Sequence, residues 1–397
     1  MTSSSPAPEN SWLADFDRRR LTELLVTNSG ATRATCERTA AKALRLAFSS
    51  ADHPPWDDAT LAEADVGRWA RPTLLPLDPR LRLKLHRREP STDGTVRLLL
   101  ESNDGALVEA VLIPARAGRK SARMTLCLST QVGCARACTF CETGRTGLAR
   151  QLSAGEIVDQ VRIAEALCRS DLPRDRRAPA FDVELESKAR ATSMSRRAIS
   201  NIVFMGMGEP LDNLREVVRA LDLLTDPVAF AYAPSRITVS TVGVVDKIAA
   251  FFEQSRVDLA ISLHSTVDEQ RSAIMPINRK HGLDELRDAL LTAVPRNRRI
   301  MFQYTLFDGF NDSLADADRL AEFVEPFRCR VNLIPANPGP DPTLVAPPRE
   351  RFDAFVSRLA SRGVTTLVRR PRGRDVGGAC GQLAGARRLE LLRETTP

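Results

Sequence analysis

Hydrophobic residues in the first part of the chain recur at the spacing of a helix. Around residues 21–25 and 40–46 they fall three or four positions apart, between charged residues. Apolar and polar residues then alternate from Val96 to Ile113 around an Asn-Asp-Gly turn, which is typical of a β-hairpin. The pattern predicts a helical accessory module over residues 1–95, then a hairpin and linker over residues 96–122.

From residue 123 onward, short apolar runs of strand type alternate with amphipathic helical segments. The predicted strands are 124–128, 202–205, 237–240, 259–263, 300–306 and 331–334. Strand and helix repeated in this order indicate a parallel sheet or a barrel. Residues 169–198 are charged and poor in apolar side chains. We expect a flexible insertion there, because such connections normally take only a few residues.

The charge balance points to a polyanionic partner. The 397 residues include 57 Lys and Arg against 50 Asp and Glu, a formal net charge of +7 at pH 7. This excess favours association with nucleic acid, although a solvated surface explains any one basic cluster equally well. The sequence contains no apolar run of about 18 residues, so it predicts no membrane span. The N-terminus is Ser- and Pro-rich and unlike a secretory signal, so we expect a cytoplasmic protein.

Three cysteines with the spacing CxxxCxxC give the first chemical signal. They are Cys134, Cys138 and Cys141. Iron–sulfur clusters are normally held by four cysteinates, so a cluster with three protein ligands keeps one iron open to a substrate. A zinc site would need a fourth Cys or His nearby, and none of the four histidines lies near this motif. The motif favours a reactive iron–sulfur cluster over zinc.

Polar or glycine-rich motifs follow most of the predicted strands. They are the cysteine loop after the first strand, Gly206–Pro210 after the second, Ser240–Gly243 at the third, Ser262–His264 at the fourth and Asn337 after the sixth. The carboxyl ends of strands carry the active site of a parallel barrel, so the placement predicts one pocket. Glu209 suits the amino group of a ligand, while Ser240, Ser262, His264 and Asn337 offer hydrogen bonds. Each of them alone is explained equally well by a turn or a loop cap.

Cys380 stands among glycines, directly after a basic run from Arg369 to Arg374. A positive field stabilises a thiolate, which is the nucleophilic form of cysteine, whereas most free cysteines are buried and inert. A catalytic and a structural role are about equally compatible with this chemistry. Cys127, on the first predicted strand close to the cluster loop, is either a core residue or a second redox thiol.

Taken together and in this order, six segments resemble radical S-adenosylmethionine RNA methyltransferases of the RlmN/Cfr family, which methylate an adenine of large-subunit rRNA. The segments are CLSTQVGC at 127–134, the three-cysteine loop, MGMGEPL at 205–211, SLH at 262–264, LIPANP at 333–338 and ACGQLAG at 379–385. The resemblance extends from about residue 108 to residue 385. It is far more specific than the CxxxCxxC spacing.

The resemblance implies an α/β fold with a partial (βα)6 TIM-like radical-SAM barrel over residues 123–385. The small N-terminal helical accessory domain would contact RNA, and residues 386–397 would form a C-terminal tail. The implied cofactors are a [4Fe-4S] cluster on Cys134, Cys138 and Cys141 and two molecules of S-adenosylmethionine per turnover. A radical route suits the reaction, because carbon 2 and carbon 8 of adenine are electron-poor and cannot attack a methyl group as a nitrogen would.

Individual roles also follow from the resemblance. Cys380 would first take a methyl group from one S-adenosylmethionine, and a 5′-deoxyadenosyl radical from the second would activate it. Glu109 would then accept a proton from the RNA adduct, and Cys127 would form a transient disulfide with Cys380. The implied S-adenosylmethionine contacts are Gly208, Glu209, Ser240, Ser262, Leu263, His264 and Asn337.

The implied substrate is 23S rRNA, with tRNA as a further candidate, and the reductant is a donor such as flavodoxin. A monomer is the default expectation. We expect methylation at carbon 2 of adenine, and methylation at carbon 8, which confers antibiotic resistance, stays open. Two other classes also stay open: a radical S-adenosylmethionine enzyme acting on a substrate other than RNA, and a non-enzymatic RNA-binding protein with a structural metal.

Overall fold

Strands and helices alternate along most of the chain, as the sequence pattern predicts. The computed structural model of the protein describes residues 12–48, 55–114, 124–170 and 197–384. Its strands are β1 Leu83–Pro90, β2 Val96–Ser102, β3 Leu107–Pro114, β4 Met124–Cys127, β5 Gln131–Cys134, β6 Gly147–Gln151, β7 Ile199–Phe204, β8 Ile237–Thr241, β9 Asp258–Ser262, β10 Ile300–Leu306, β11 Cys329–Pro335 and β12 Thr366–Val368.

The helices lie mainly before β1 and between the later strands. They are α1 Arg18–Ser29, α2 Arg33–Ala47, α3 Asp58–Glu63, α4 Arg71–Leu74, α5 Glu142–Arg145, α6 Ala154–Ser170, α7 Leu214–Thr225, α8 Val245–Gln254, α9 Asp268–Ile274, α10 Leu283–Ala293, α11 Leu314–Val324 and α12 Arg349–Ser361. The longest, α6, begins with a capping box: Glu156 accepts a hydrogen bond from the Ser153 backbone N–H at 2.9 Å, and its own N–H donates to the Ser153 hydroxyl at 3.3 Å. None of the described helices combines the length and the apolarity that a membrane crossing needs.

One sheet of ten strands organises the fold, in the order β1-β2-β3-β4-β7-β8-β9-β10-β11-β12. The pairs from β4 to β12 are parallel, whereas β1 to β4 pair antiparallel. The six predicted strands are confirmed, and β12 adds a short parallel strand at one edge. The protein therefore has the predicted α/β fold, a partial (βα)6 barrel with a helical region before it.

Side chains on the parallel strands divide between two layers. Along β10, Phe302, Tyr304 and Leu306 are buried in the main hydrophobic core, whereas Gln303 and Thr305 face a cavity. This alternation follows from the two-residue period of a strand, which sends successive side chains to opposite faces. One face of the sheet is thus apolar and packed, while the other supplies polar groups.

The N-terminal helices are fastened to the barrel through Arg82. Its guanidinium pairs with Asp15 and donates to the Ser153 hydroxyl at 2.7 Å, and its backbone N–H donates to the buried Asp159 carboxylate at 2.6 Å. The contacts join the segment before α1 to the start and middle of α6. The helices of this region end at Leu74, and Leu83–Pro90 of the same predicted module forms β1, which joins the sheet.

The predicted hairpin is confirmed as β2 and β3, whose residues pair from Val96↔Leu112 to Glu101↔Leu107. Because β3 also pairs with β4, the hairpin continues into the barrel sheet. The placement of the domain boundaries stays a prediction. Most of the predicted insertion at 169–198, the basic segment 115–121 and the tail 386–397 lie outside the described residues.

Candidate active site

A cavity opens at the carboxyl ends of the parallel strands, with an empty volume of about 1030 Å³ that includes space open to solvent. Its lining brings together these residues singled out from the sequence: Cys134, Cys138, Cys141, Gly208, Glu209, Ser240, Ser262, His264, Asn337 and Cys380. The prediction that these residues line one common pocket is therefore confirmed. The chemical roles of the individual residues remain predictions.

The three clustered cysteines are presented by a small hairpin. Strand β5 ends at Cys134, β6 pairs with it, and Cys141 is the N-cap of α5. Gly133 makes the close pairing possible, because it has a φ of +79° and a Cβ there would lie 1.9 Å from the Gly147 carbonyl oxygen. The fold holds the cysteine loop between two paired strands.

Burial of the three clustered cysteines favours the neutral form of their thiols. Burial raises the pKa of Cys134 to about 12, and the nearby thiol of Cys141 contributes to the increase. Burial also raises the pKa of Cys138, with Cys141 and Cys134 as further causes. Three mutually repelling thiolates need a cationic group to hold them.

Cysteine thiolates bind two such cationic groups, a zinc ion and an iron–sulfur cluster, in different ways. Among the described residues, no three His, Cys, Asp or Glu side chains are grouped so that they could hold one metal ion. A tetrahedral zinc ion requires convergent ligands, whereas each cysteine of a [4Fe-4S] cube binds a different iron. Three thiolates, on Cys134, Cys138 and Cys141, are the donor set that a cluster with three protein ligands would need.

Glu209 connects the loops that follow β7 and β8. Its carboxylate accepts hydrogen bonds from the Leu211 N–H at 2.9 Å and the Val242 N–H at 2.8 Å. Burial raises the pKa of Glu209 to about 7 despite these bonds. A cationic ligand group beside this carboxylate would favour its charged form.

Gly208 is required next to Glu209 by the backbone. It has a φ of +98°, and a Cβ there would lie 2.6 Å from the side chain of Gln131. The Gln131 side chain in turn accepts a hydrogen bond from the Glu209 N–H at 2.7 Å. The Gly-Glu motif is thereby packed against the cysteine hairpin.

Polar side chains from β8 and β9 meet beside the same cavity. The hydroxyls of Ser240 and Ser262 lie 3.4 Å apart. His264 follows β9 in the left-handed region, with a φ of +58°, and its Nδ1 accepts a hydrogen bond from the Thr305 N–H at 3.0 Å. These groups can donate to or accept from a ligand that occupies the cavity.

Leu263 differs from its neighbours, because it lies outside the cavity lining and its side chain is fully buried in the main core. Its carbonyl accepts a hydrogen bond at 3.1 Å from Arg271, which also donates to the Val242 carbonyl at 2.7 Å. The buried Arg271 side chain therefore fixes the loops after β8 and β9. A contact from Leu263 to a ligand would have to use its backbone.

A second, smaller cavity contains the two cysteines without a predicted metal role. Cys127 and Cys380 both line it, together with Arg369. It adjoins the larger cavity, since the two share four lining residues: Met205, Ile334, Asn337 and Cys380. Cys380 thus stands at the boundary between the two spaces.

No disulfide joins Cys127 and Cys380 in this structure, so the disulfide is not supported here and a transient bond during turnover stays a prediction. All eight cysteines are free. Burial raises the pKa of Cys127 to about 12, and the neighbouring Cys380 thiol adds to the increase. A protonated, buried thiol is the unreactive form.

Glu109 lies outside the lining of both cavities. It is fully buried on β3, and its carboxylate is 3.9 Å from the Arg97 guanidinium. Arg97 also donates to the carbonyl of Gly377 at 3.5 Å, three residues before Cys380. The structure therefore brings Glu109 near the loop of Cys380, but not into the cavity itself.

Comparisons with known proteins agree with this geometry. A family model described as the radical SAM superfamily matches residues 128–323. The chain is 53% identical over 380 residues to the "Probable RNA methyltransferase sce1580" of Sorangium cellulosum, covering 95% of this chain and 88% of that relative. It is 44% identical over 321 residues to the "Dual-specificity RNA methyltransferase RlmN" of Anaeromyxobacter sp. strain Fw109-5, covering 81% and 79%.

The chain belongs to the RlmN/Cfr family of radical SAM RNA methyltransferases. A crystal structure of a radical SAM methyltransferase from Sphaerobacter thermophilus superposes with a TM-score of 0.75 at 34% identity, covering 94% of this chain and 99% of that chain. The radical SAM family implies a [4Fe-4S] cluster and S-adenosylmethionine as cofactors. The chain is therefore a methyltransferase enzyme that acts on RNA.

Sequence reasoning missed several residues of this RlmN/Cfr-family site. Gln303 and Thr305 line the cavity from β10, and Phe140 packs edge-on against His264 with ring centroids 5.0 Å apart. Arg136 of the cysteine loop pairs with Asp212 beyond Glu209, with 2.7 Å from Nε to Oδ2. The alternation of polar and apolar residues along β10 could have identified Gln303 and Thr305, whereas no sequence signal marks the Arg136 pair.

Proposed function

We propose that this RNA methyltransferase methylates an adenine of 23S rRNA at carbon 2, and that the methyl group passes through Cys380. The supporting observation is that Cys380 lines both cavities. One thiol can then face S-adenosylmethionine in the larger cavity and a substrate base on its other side. Chemistry on a base requires that the base leave its stack, so the smaller cavity suits an extruded adenine.

Cys134, Cys138 and Cys141 would hold the cluster, and Glu209, Gly208, Ser240, Ser262, His264 and Asn337 would surround S-adenosylmethionine. When bound, the cluster would supply the electron for reductive cleavage of S-adenosylmethionine. Cys380 acts before that chemistry: its thiolate attacks the methyl carbon of one S-adenosylmethionine, forming a sulfur–carbon bond and displacing S-adenosylhomocysteine. Two molecules of S-adenosylmethionine are then used per turnover.

Two further residues complete the proposed set. Cys127 is the second thiol of the smaller cavity, and we assign it to the release of the product rather than to methylation of Cys380. Glu109 is assigned as the acceptor of the proton that the adenine carbon loses. Its burial beside Arg97 requires that the Cys380 loop shift for the carboxylate to reach a substrate.

The proposed partners follow from the charge and the relatives. The net charge of +7 suits RNA phosphates, with the N-terminal helical module as a contact. A relative named "dual-specificity" supports a second RNA substrate, for which we propose tRNA. We further propose a flavodoxin-type electron donor, a monomeric enzyme and a cytoplasmic location.

Mass spectrometry of adenosines from the 23S rRNA of cells with and without the gene tests the proposal. Cells that lack the gene should lose 2-methyladenosine, and a wild-type copy should restore it, whereas Cys380→Ala should not. Cys329→Ala is the matched control, because Cys329 is half-buried on β11 away from both cavities.

The other outcomes are equally informative. Loss of 8-methyladenosine instead would move the activity to carbon 8. No change in either base would make the rRNA proposal wrong and favour a substrate other than 23S rRNA. Full activity of Cys380→Ala would contradict the proposed methyl transfer through this thiol.

A further inference from the structure

Cys380 lies in a glycine-rich segment, residues 372–381, that we call the Cys380 loop. Asp375 anchors it to the turn between β1 and β2, where its carboxylate accepts hydrogen bonds from the Ser91 hydroxyl at 2.6 Å and the Thr92 N–H at 3.0 Å. The carbonyl of Gly381 accepts one from the Glu142 N–H at 2.8 Å. The loop is therefore attached on both sides of Cys380, five residues before it and one residue after it.

A third attachment holds Cys380 itself through two side chains. Asn337 donates from Nδ2 to the Cys380 carbonyl at 3.1 Å. Arg374 donates from Nε to the Asn337 Oδ1 at 2.9 Å and from Nη2 to the Ala336 carbonyl at 2.9 Å. The three residues thus form a chain of hydrogen bonds that ends at Cys380.

Donor and acceptor chemistry gives this chain one direction. A guanidinium can only donate and a backbone carbonyl can only accept, so the Asn337 amide has to place its oxygen toward Arg374 and its nitrogen toward Cys380. The acceptor that holds Arg374 is itself fixed in position, because Ala336, whose carbonyl it bonds, is buried in the apolar cluster that also contains Cys138. Arg374 therefore sets the orientation of Asn337, and Asn337 holds Cys380.

We propose that Arg374 is a positioning residue for the Cys380 thiol. By orienting Asn337 it keeps Cys380 at the boundary between the two cavities, and its importance for methyl transfer rests on the proposed function. Arg374 contacts neither reacting group, so its effect is transmitted through Asn337. Because Asp375 and Gly381 keep their own bonds, loss of Arg374 should loosen Cys380 without unfolding the domain.

Arg374→Gln tests this role against Arg370→Gln. Both changes remove one positive charge from the same basic run, but Arg370 is exposed and, in the part of the chain that the structure describes, makes no side-chain hydrogen bond or ion pair. Arg374 is itself exposed, so its two charge-assisted bonds are weaker than buried ones, and their loss should raise the population of a released loop about tenfold. The comparison therefore separates the effect of position from that of charge.

The first measurement is the rate at which iodoacetamide alkylates Cys380 in the anaerobic, cluster-loaded protein, followed by peptide mass spectrometry. Arg374→Gln should raise this rate about tenfold, while Arg370→Gln and the internal reference thiol Cys168 stay within twofold of wild type. Asn337→Asp should also raise it, because a carboxylate cannot donate to the Cys380 carbonyl. An unchanged rate in both Arg374→Gln and Asn337→Asp would overturn the proposal.

The second measurement is RNA methylation under steady-state conditions. Arg374→Gln should lower kcat about tenfold with little change in the KM for RNA. If KM for RNA rises equally in Arg374→Gln and Arg370→Gln while kcat is unchanged, Arg374 contributes only its positive charge to RNA binding. That result would overturn its positioning role. If the wild-type protein methylates no RNA, the proposed function fails, whereas the alkylation rates still decide whether Arg374 positions Cys380.

Discussion

His264 and Thr305 are joined by a hydrogen bond of 3.0 Å, in which the Thr305 N–H donates to Nδ1 of the imidazole. Since Nδ1 accepts, the hydrogen of the neutral ring resides on Nε2, which is left as a donor. Burial, with a contribution from Arg271, lowers the pKa of His264 to about 3. The ring at the edge of the larger cavity is therefore a neutral hydrogen-bond donor at physiological pH.

Protonation of His264 should weaken the fold in mild acid. Its ordinary pKa of about 6.5 applies to the unfolded chain, so the unfolded state binds more protons below that pH and the free energy of unfolding falls. From pH 6.5 to pH 5 the loss should reach about 2 kcal/mol. His264→Asn, which tolerates the φ of +58°, should remove this part of the acid dependence.

Urea unfolding of both proteins between pH 5 and pH 7.5 measures the difference. His86→Asn, at an exposed position of β1 outside both cavities, serves as the control for loss of a histidine elsewhere. Parallel curves for His264→Asn and wild type would contradict the neutral, buried state of the ring.

Gly208→Ala should destabilise the site far more than Gly309→Ala. Both positions have positive φ, of +98° and +65°, but a Cβ at Gly208 would lie 2.6 Å from Gln131 while nothing lies within 4 Å of one at Gly309. We expect a loss of about 3 kcal/mol in the free energy of unfolding at Gly208 and about 1 kcal/mol at Gly309. Equal losses in urea unfolding would show that the contact with Gln131 is unimportant.

Arg271→Lys should remove hydrogen bonds that connect the loops after β8 and β9, and so lower the stability of the protein. The guanidinium is 1% exposed and donates to Leu263, Val242 and Asn278. A lysine cannot reproduce this planar fork, so acceptors stay buried without donors, and the free energy of unfolding should fall by about 3 kcal/mol. Arg330→Lys, at an exposed position of β11, should change it by less than about 0.5 kcal/mol.

Each of Cys134→Ser, Cys138→Ser and Cys141→Ser should abolish cluster binding. Anaerobically purified wild-type protein should contain about four iron and four sulfide per chain, and the variants close to none, because each thiolate binds a separate iron. Cys329→Ser should retain the full content. One zinc per chain in place of iron and sulfide would contradict the cluster assignment.

Much of the barrel could be predicted because its strands carry local patterns. Every predicted strand from Met124 onward is present within a few residues, since buried parallel strands appear as short apolar runs between helices. The common pocket followed from strand polarity alone, which places Glu209, Ser262 and Asn337 at one edge.

Other features depend on contacts that no local pattern encodes. Strand β1 contains Lys84, Arg87 and Arg88 and is an exposed edge strand, so its composition does not show the alternation by which half-buried strands are recognised. The Asn337 amide was assigned to S-adenosylmethionine from its motif, and its bonds to Arg374 and Cys380 became visible only in the folded chain. The transient disulfide is implied only by the resemblance, and the structure contains its two cysteines as free thiols.

The anchoring of the Cys380 loop also determines when the enzyme can become complete during its synthesis. Asp375 and Ser91, which hold the loop in place, are 284 residues apart in sequence. The cysteine hairpin and most of the barrel emerge from the ribosome before either Arg374 or Cys380 exists. A nascent or truncated chain therefore already contains the three clustered cysteines while it still lacks Cys380, the thiol to which we assign methyl transfer.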